Sequence, residues 1–416
     1  MISYKKHLLA NGLTVLTHEA WDTPLATVNL LYNVGSRDEE PTRTGFAHLF
    51  EHLMFGGTPQ VPDFDAVVSS LGGDNNAFTT CDYTNYYTTV PADGLSTVLA
   101  LEADRMAHLD ISPKALDVQQ HVVTEEYNQR YMNQPYGDVW LLLRPLCYQV
   151  HPYRWPTIGA DIRHVSEATL DDVRAFHHRF YRPDNAILAI AAPLQHDEQL
   201  RLAEEAWASQ SIGSPEKAIT SRAYPAEPEQ TAARSIRVQR EVPTSMVYLA
   251  YPMGDRESPY YRACDLISDI LDNGTSSRLH RRLVVEQGLM TEADACISGE
   301  AGPGLLVLSG KLQQGVSADE AVDALRNEAF ALAEHLVDNY ELQKVQNKYE
   351  NTFVFSHYKA SDRALALCHY TWLGDTNLVN REPDEYRRVT PALLQEAARK
   401  VFNPQHENLL YYEKRI

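Results

Sequence analysis

The chain has 416 residues, too long for one ordinary core, which leads to an expectation of two or more domains. With 44% hydrophobic and 22% charged residues it has the composition of a soluble globular protein, and no apolar run approaches the roughly 20 residues of a membrane span. A net charge of −19 argues against nucleic acid as a main partner, because phosphate contacts need basic surface; solubility or attraction of cationic ligands remains.

The opening "MISYKKHLLANGLTVL" carries two lysines but neither an apolar core segment nor a small-residue cleavage site, so a cytoplasmic location is expected, or a periplasmic one if a leader has been removed. It predicts a hairpin: "KKHLLA", a turn at Asn11-Gly12, then "LTVLTHE". "ATVNLLYNVGSRDE" predicts a core strand that leaves its sheet at Gly35. "TGFAHLFEHLMFGGT" (44–58) and "DFDAVVSSLGG" predict helices, each closed by a pair of glycines. "NNAFTTCDYTNYYTTVP" is β-rich, "DGLSTVLALEADRMAHL" and "ALDVQQHVVTEEYNQRYM" are helical, and "NAILAIAA" is another strand. Strands and helices mixed without strict alternation indicate an α+β class.

Residues 209–233 lack periodicity and predict a linker. Beyond the linker, the second half of the chain repeats the first. "SMVYLAYPMGDRESPYYRACDLISDILDNGTSSRL" parallels "ATVNLLYNVGSRDEEPTRTGFAHLFEHLMFGGT", and "RVTPALLQEAARKVFNPQHENLLYYEK" parallels "HVSEATLDDVRAFHHRFYRPDNAILAIAA". The expectation is two similar α+β domains, 1–208 and 234–416, each a mostly antiparallel sheet packed with helices. Five cysteines (Cys81, Cys147, Cys264, Cys296, Cys368), odd in number and without C-x-x-C, predict buried free thiols in a reducing compartment.

The two copies differ in chemistry. Matching their Gly-Thr pairs sets His48 against Asp265, Glu51 against Ser268 and His52 against Asp269. On a helix, residues four apart differ by about 40° in direction, so His48 and His52 share a face with Glu51 beside them. H-x-x-E-H is a recognised inverted zincin pattern: two imidazoles ligate one metal while the carboxylate reaches its water. The flanking residues are apolar (Phe46, Leu49, Phe50, Leu53, Met54, Phe55), and a buried charged cluster needs compensation that a divalent cation supplies. The alternative is a pair of core histidines bonded to neighbours. For a further ligand, Glu126 continues an apolar stripe with Val122 and Val123, whereas Glu125 points to the His121 side. Taken alone, such a glutamate is a solvated residue.

The ordered motifs "NGLTVL", "VGSRDE", "GFAHLFEHLMFGGT", "NNAFTTCDYTNYY", "VVTEEYNQRYMNQPYG", "HPYRWPTIG", "YRPDNA" and "GTSSRLHRRLVVEQGL" make the chain resemble the M16 peptidases, a family that includes pitrilysin, insulin-degrading enzyme and mitochondrial processing peptidase. The resemblance implies a LuxS/metallohydrolase-like duplicated half-clamshell and one Zn2+ held by His48, His52 and Glu126, with Glu51 as general base. It implies a closed chamber for peptide substrates, with Asn76, Ala77 and Phe78 on the edge strand that binds them, and a supporting acidic role for Asp82. No nucleic acid or membrane partner is implied.

Two positions depart from the family. Gln119 stands where many relatives carry a second glutamate, which touches a supporting contact rather than the metal. Val284 and Thr291 stand where an Arg/Tyr pair grips substrate backbone, and neither can donate as guanidinium or phenol does. The expectation is a zinc endopeptidase acting as the metal-bearing subunit of a heterodimer whose partner carries the Arg/Tyr pair, a homodimer being the other arrangement. The alternative function is a structural or assembly subunit without activity.

Overall fold

The computed structural model describes residues 1–210 and 224–415, so residues 211–223 of the expected linker lie outside the described residues. The chain forms two compact units. One comprises Met1–Asn128, Trp155–Tyr224 and Val354–Arg381; the other comprises Gln129–Arg154, Pro225–Phe353 and Glu382–Ile416. Each unit is built mainly from one half of the sequence and completed by a segment of the other.

In the first unit, β1 (Lys5–Leu8), β2 (Thr14–Glu19), β3 (Leu25–Tyr32), β4 (Asp74–Thr79), β5 (Thr84–Pro91) and β6 (Ala186–Ala192) form a sheet in the order β1-β2-β6-β3-β5-β4. All neighbours are antiparallel except β2 and β6. The β1–β2 hairpin forms as expected, but Leu8 pairs with Thr14, so Asn11-Gly12 lies inside a longer loop. There Asn11 is buried and its side-chain oxygen accepts from Leu13 N, while Gly12 takes φ +85°, with Asp184 where a side chain would go. Strand β3 ends at Tyr32, three residues before the expected exit at Gly35.

The second unit holds β7 (Arg234–Arg240), β8 (Met246–Pro252), β9 (Met290–Ile297), β10 (Leu305–Leu312) and β11 (Asn408–Lys414), in the order β7-β11-β8-β10-β9. Here β7 and β11 are the one parallel pair, as β2 and β6 are in the first unit. Removing β1 leaves two sheets of the same order and direction, so the sequence repeat is a structural repeat. The class is α+β, with two similar domains.

Strand β3 is buried at every residue after Leu25, which requires cover on both faces of its sheet. The cover comes from α1 (Phe46–Leu53), α2 (Phe64–Ser70), α3 (Leu95–His108), helix His196–Trp207 and, from the second half of the sequence, helix Ala360–Trp372 against β3 and β6. On α3 itself a charged pair is fully buried. Arg105 donates from Nε and Nη2 to Glu102 at 2.7 Å each, and its guanidinium lies 4.3 Å from the Phe64 ring centre and 4.8 Å from that of Tyr86. All five cysteines are free; four are buried, but Cys296 on edge strand β9 is exposed, against expectation, because alternate residues of that strand face outward.

Candidate metal centre

Helix α1 begins at Gly45, whose φ of +89° favours glycine and whose missing side chain leaves room for Val165 and Ile158 O. The buried Glu39 carboxylate accepts from Gly45 N at 2.8 Å and Ala47 N at 2.9 Å, so it caps the helix start without being the residue before it. Burial pushes its carboxyl well up, and the two amides pull it back. One face of α1 is clamped by aromatics: Phe50 stacks on Phe176 and Tyr181, each at 5.0 Å, and Phe46 meets Phe176 at 5.8 Å. His48, Glu51 and His52 occupy the other side. The helix ends at Leu53 and tightens into a 3-10 turn, Met54–Gly56, before Gly57 at φ +82° turns the chain.

Glu126 arrives on α4 (Pro113–Tyr127), which starts at Ser112, whose hydroxyl accepts from Ala115 N, and runs on into a π-helical turn, Asn128–Met132. Val123, one turn before Glu126, is fully buried. Val122 is 42% exposed, so the apolar stripe expected to include it runs instead through Leu116 and Val123. A spacing of four misled where a spacing of three held, because α4 packs along a narrow strip. Glu125, expected on the His121 side, is exposed, as His121 is.

The roll of α4 is held by Gln120, a residue that no motif singles out. Its amide donates to Val165 O, Ser166 O and Ala168 O. Gln346 does the same in the second unit, donating to Tyr386 O, Arg387 O and Val389 O. The internal repeat could have flagged this pair. Gln119, beside it, is half-buried on the Glu126 face.

The fold brings His48, His52 and Glu126 together, with one donor atom of each within 4.8 Å of the others. Glu126 Oε2 is 3.1 Å from His52 Nε2, and Oε1 is 3.6 Å from His48 Nε2. The two rings stand nearly perpendicular, 4.9 Å between centres, with both Nε2 atoms turned to the same carboxylate. Donors about 2.0–2.1 Å from a tetrahedral zinc lie about 3.3 Å apart, and each imidazole nitrogen is near that distance from one of the two Glu126 oxygens. Two imidazoles and one carboxylate therefore fit a zinc ion without large rearrangement. Glu51, beside them on α1, accepts from the hydroxyl of Thr79 at 2.6 Å. Thr79 carries no signal of this in the sequence.

Strand β4 forms the edge of the first sheet and packs against α1. Asn76 is exposed, Ala77 and Phe78 are half-buried, and Asn76 Oδ1 accepts from Ala77 N at 2.8 Å. Asp82 lies in the β4–β5 turn, buried, with Arg37 Nη1 at 2.6 Å, and stands outside the three-residue cluster. In the second unit the counterparts of the histidines have other partners: Tyr386 donates to Asp265, and Asn273 donates to Asp269 at 2.6 Å. Val284 is half-buried in the π-helical segment His280–Glu286, and Thr291 is exposed on β9. Among the described residues no helix is long and apolar enough to cross a membrane.

Comparison with known proteins bears on the family and the fold. The family described as Insulinase (Peptidase family M16) matches residues 14–149, and the one described as Peptidase M16 inactive domain matches residues 167–349. A relative from Helicobacter pylori named zinc protease PqqE is 30% identical over 370 residues, covering 87% of this chain and 82% of that one. An uncharacterized zinc protease of Mycobacterium leprae is 28% identical over 319 residues, covering 75% and 69%. The crystal structure of a protease from Helicobacter pylori superposes with a TM-score of 0.93 at 25% identity, covering 99% of this chain and 100% of that one. The periplasmic protease PqqL of Escherichia coli shares the fold at a TM-score of 0.79 and 18% identity, with 98% of this chain covering 47% of that longer one. Motifs, duplicated sheets and relatives converge, and the chain belongs to the M16 peptidase family as a half-size member.

Proposed function

We propose that the chain is a zinc-dependent endopeptidase that hydrolyses unfolded peptides or short proteins, and that it is the metal-bearing subunit of a dimer. The observation that carries this reading is the meeting of His48, His52 and Glu126, from two helices, within 4.8 Å, beside Glu51 and an open sheet edge. His48 and His52 would hold the ion through Nε2 and Glu126 through its carboxylate. When bound, zinc supplies Lewis acidity toward water and the scissile carbonyl.

Glu51 takes the attacking water's proton and later returns it to the leaving amine. Asn76, Ala77 and Phe78 present the backbone of an edge strand, along which an extended peptide adds as a further strand. Such pairing needs an unfolded segment but tolerates many side chains, which favours a substrate defined by extension more than by one residue. Asn76 Oδ1 covers the Ala77 N–H until a peptide carbonyl replaces it. Asp82, through Arg37, secures the turn that ends this strand. Gln119 lines the Glu126 face without adding charge.

The test is Glu51→Gln in the zinc-loaded protein. The variant is expected to keep its zinc and lose about 100- to 10,000-fold in peptide turnover. Cleavage at the wild-type rate excludes Glu51 as base, and no cleavage by either protein, alone or with a paired subunit, favours a structural subunit instead.

A further inference from the structure

Strand β4 carries alternate side chains on its two faces, so Asn75, Ala77 and Thr79 share one. That face looks onto the helices. Asn75 donates to Asp65 of α2 at 3.0 Å, and Thr79 donates to Glu51 of α1 at 2.6 Å. The strand read as the peptide's docking edge is thus joined to the residue read as the base by one side-chain hydrogen bond.

We propose that Thr79 is a positioning residue for Glu51, and that it links peptide pairing along β4 to the orientation of the base. The proposal rests on the peptidase reading above. A glutamate has three rotatable side-chain bonds, and a half-buried one must be held if its carboxylate is to meet a water repeatedly in one place. A charge-assisted O–H to carboxylate bond of 2.6 Å supplies that hold at Oε2. Threonine suits the task because its branched side chain is stiff at χ1, so the hydroxyl is aimed by the strand itself. Ala77, one step along the same face, is small and keeps the approach to α1 open. A peptide paired with β4 immobilises the strand, and through Thr79 the base as well. Binding energy gained along the strand then acts on the chemical step, not on affinity alone.

The experiment compares zinc-loaded wild type, Thr79→Val, Thr79→Ser and Glu51→Gln, using an unstructured fluorogenic peptide long enough to span β4. Zinc content and the crystallographic position of the Glu51 carboxylate are read for each. Thr79→Val keeps the shape but not the donor. It is expected to retain zinc and KM, to lose about 10- to 100-fold in kcat, and to show Glu51 displaced. Thr79→Ser restores most of both. A Thr79→Val protein with wild-type kcat, or with a raised KM at unchanged kcat, overturns the proposal, as does an unmoved Glu51. If wild type does not cleave even when mixed with an M16-like partner carrying the Arg/Tyr pair, or Glu51→Gln cleaves as well as wild type, the peptidase reading fails, while the position of Glu51 in Thr79→Val still decides whether Thr79 holds it.

Discussion

Two carboxylates near the histidine pair have different surroundings. Glu126 spans two imidazoles with its two oxygens, an arrangement suited to a shared cation, whereas Glu51 is held by a strand hydroxyl. Glu126→Gln keeps the shape and loses the charge. Its zinc affinity is expected to fall by more than the roughly 10- to 100-fold seen when a partner beyond the ligands is changed, measured by competition with a chromophoric chelator. A smaller fall would remove Glu126 from the ligand set. A second residue-scale prediction concerns His177, stacked on Tyr181 at 5.6 Å behind α1. Burial, helped by His178, lowers its pKa from 6.5 to about 4. The folded chain thus refuses a proton that the unfolded chain accepts. Stability is full above about pH 6.5, falls as pH drops from there toward 4, and levels off below. The loss reaches up to about 3 kcal/mol at this site. His177→Phe keeps the stacking and removes the contribution. Urea midpoints at pH 7 and pH 4.5 should therefore differ less in the variant than in wild type, and equal differences would contradict the assignment.

At the scale of elements, the site depends on α1 and α4 being held at a fixed roll by contacts that lie away from the chemistry. Glu39 and the aromatic clamp hold α1, Gln120 holds α4, and the buried Arg105–Glu102 pair lies beneath the aromatic rings of Phe64 and Tyr86. Arg105→Leu strands Glu102 without a counter-charge and is expected to cost about 3–5 kcal/mol, read as a lower urea midpoint. These elements also mark how far the sequence could be read. The α1 helix and its three polar residues were legible, because helical spacing puts i, i+3 and i+4 on one face whatever the fold. Glu126 was legible through Val123 and through family resemblance. Val122 was misread because a second apolar residue does not say how wide the packed strip is. Thr79 was out of reach, since its bond to Glu51 joins residues 28 apart across a strand–helix contact. So was helix Ala360–Trp372, whose apolar face reads the same whichever sheet it covers.

On the scale of the whole molecule, the two units share one sheet topology, and the paired imidazoles His48 and His52 stand only on the helix of the first, with Asp265 and Asp269 at the matching positions of the second. There Asp265 and Asp269 are engaged by Tyr386 and Asn273, and among the described residues only the His48, His52 and Glu126 cluster has a spacing that could hold a metal ion. With Val284 and Thr291 in place of the Arg/Tyr pair, peptide hydrolysis by the chain alone is expected to be slow and to rise at least tenfold on mixing with an M16-like partner that carries the pair, a change of about 1.4 kcal/mol in the barrier. Full activity from the purified chain alone would instead favour a homodimer. The expectations for activity and zinc affinity presuppose one metal at one place. Titration of metal-free wild type and of a His48→Ala/His52→Ala double variant with zinc, followed by calorimetry, tests that directly. One tight equivalent per wild-type chain and none in the double variant is the expected result; equal tight binding by both would contradict a metal held by these histidines.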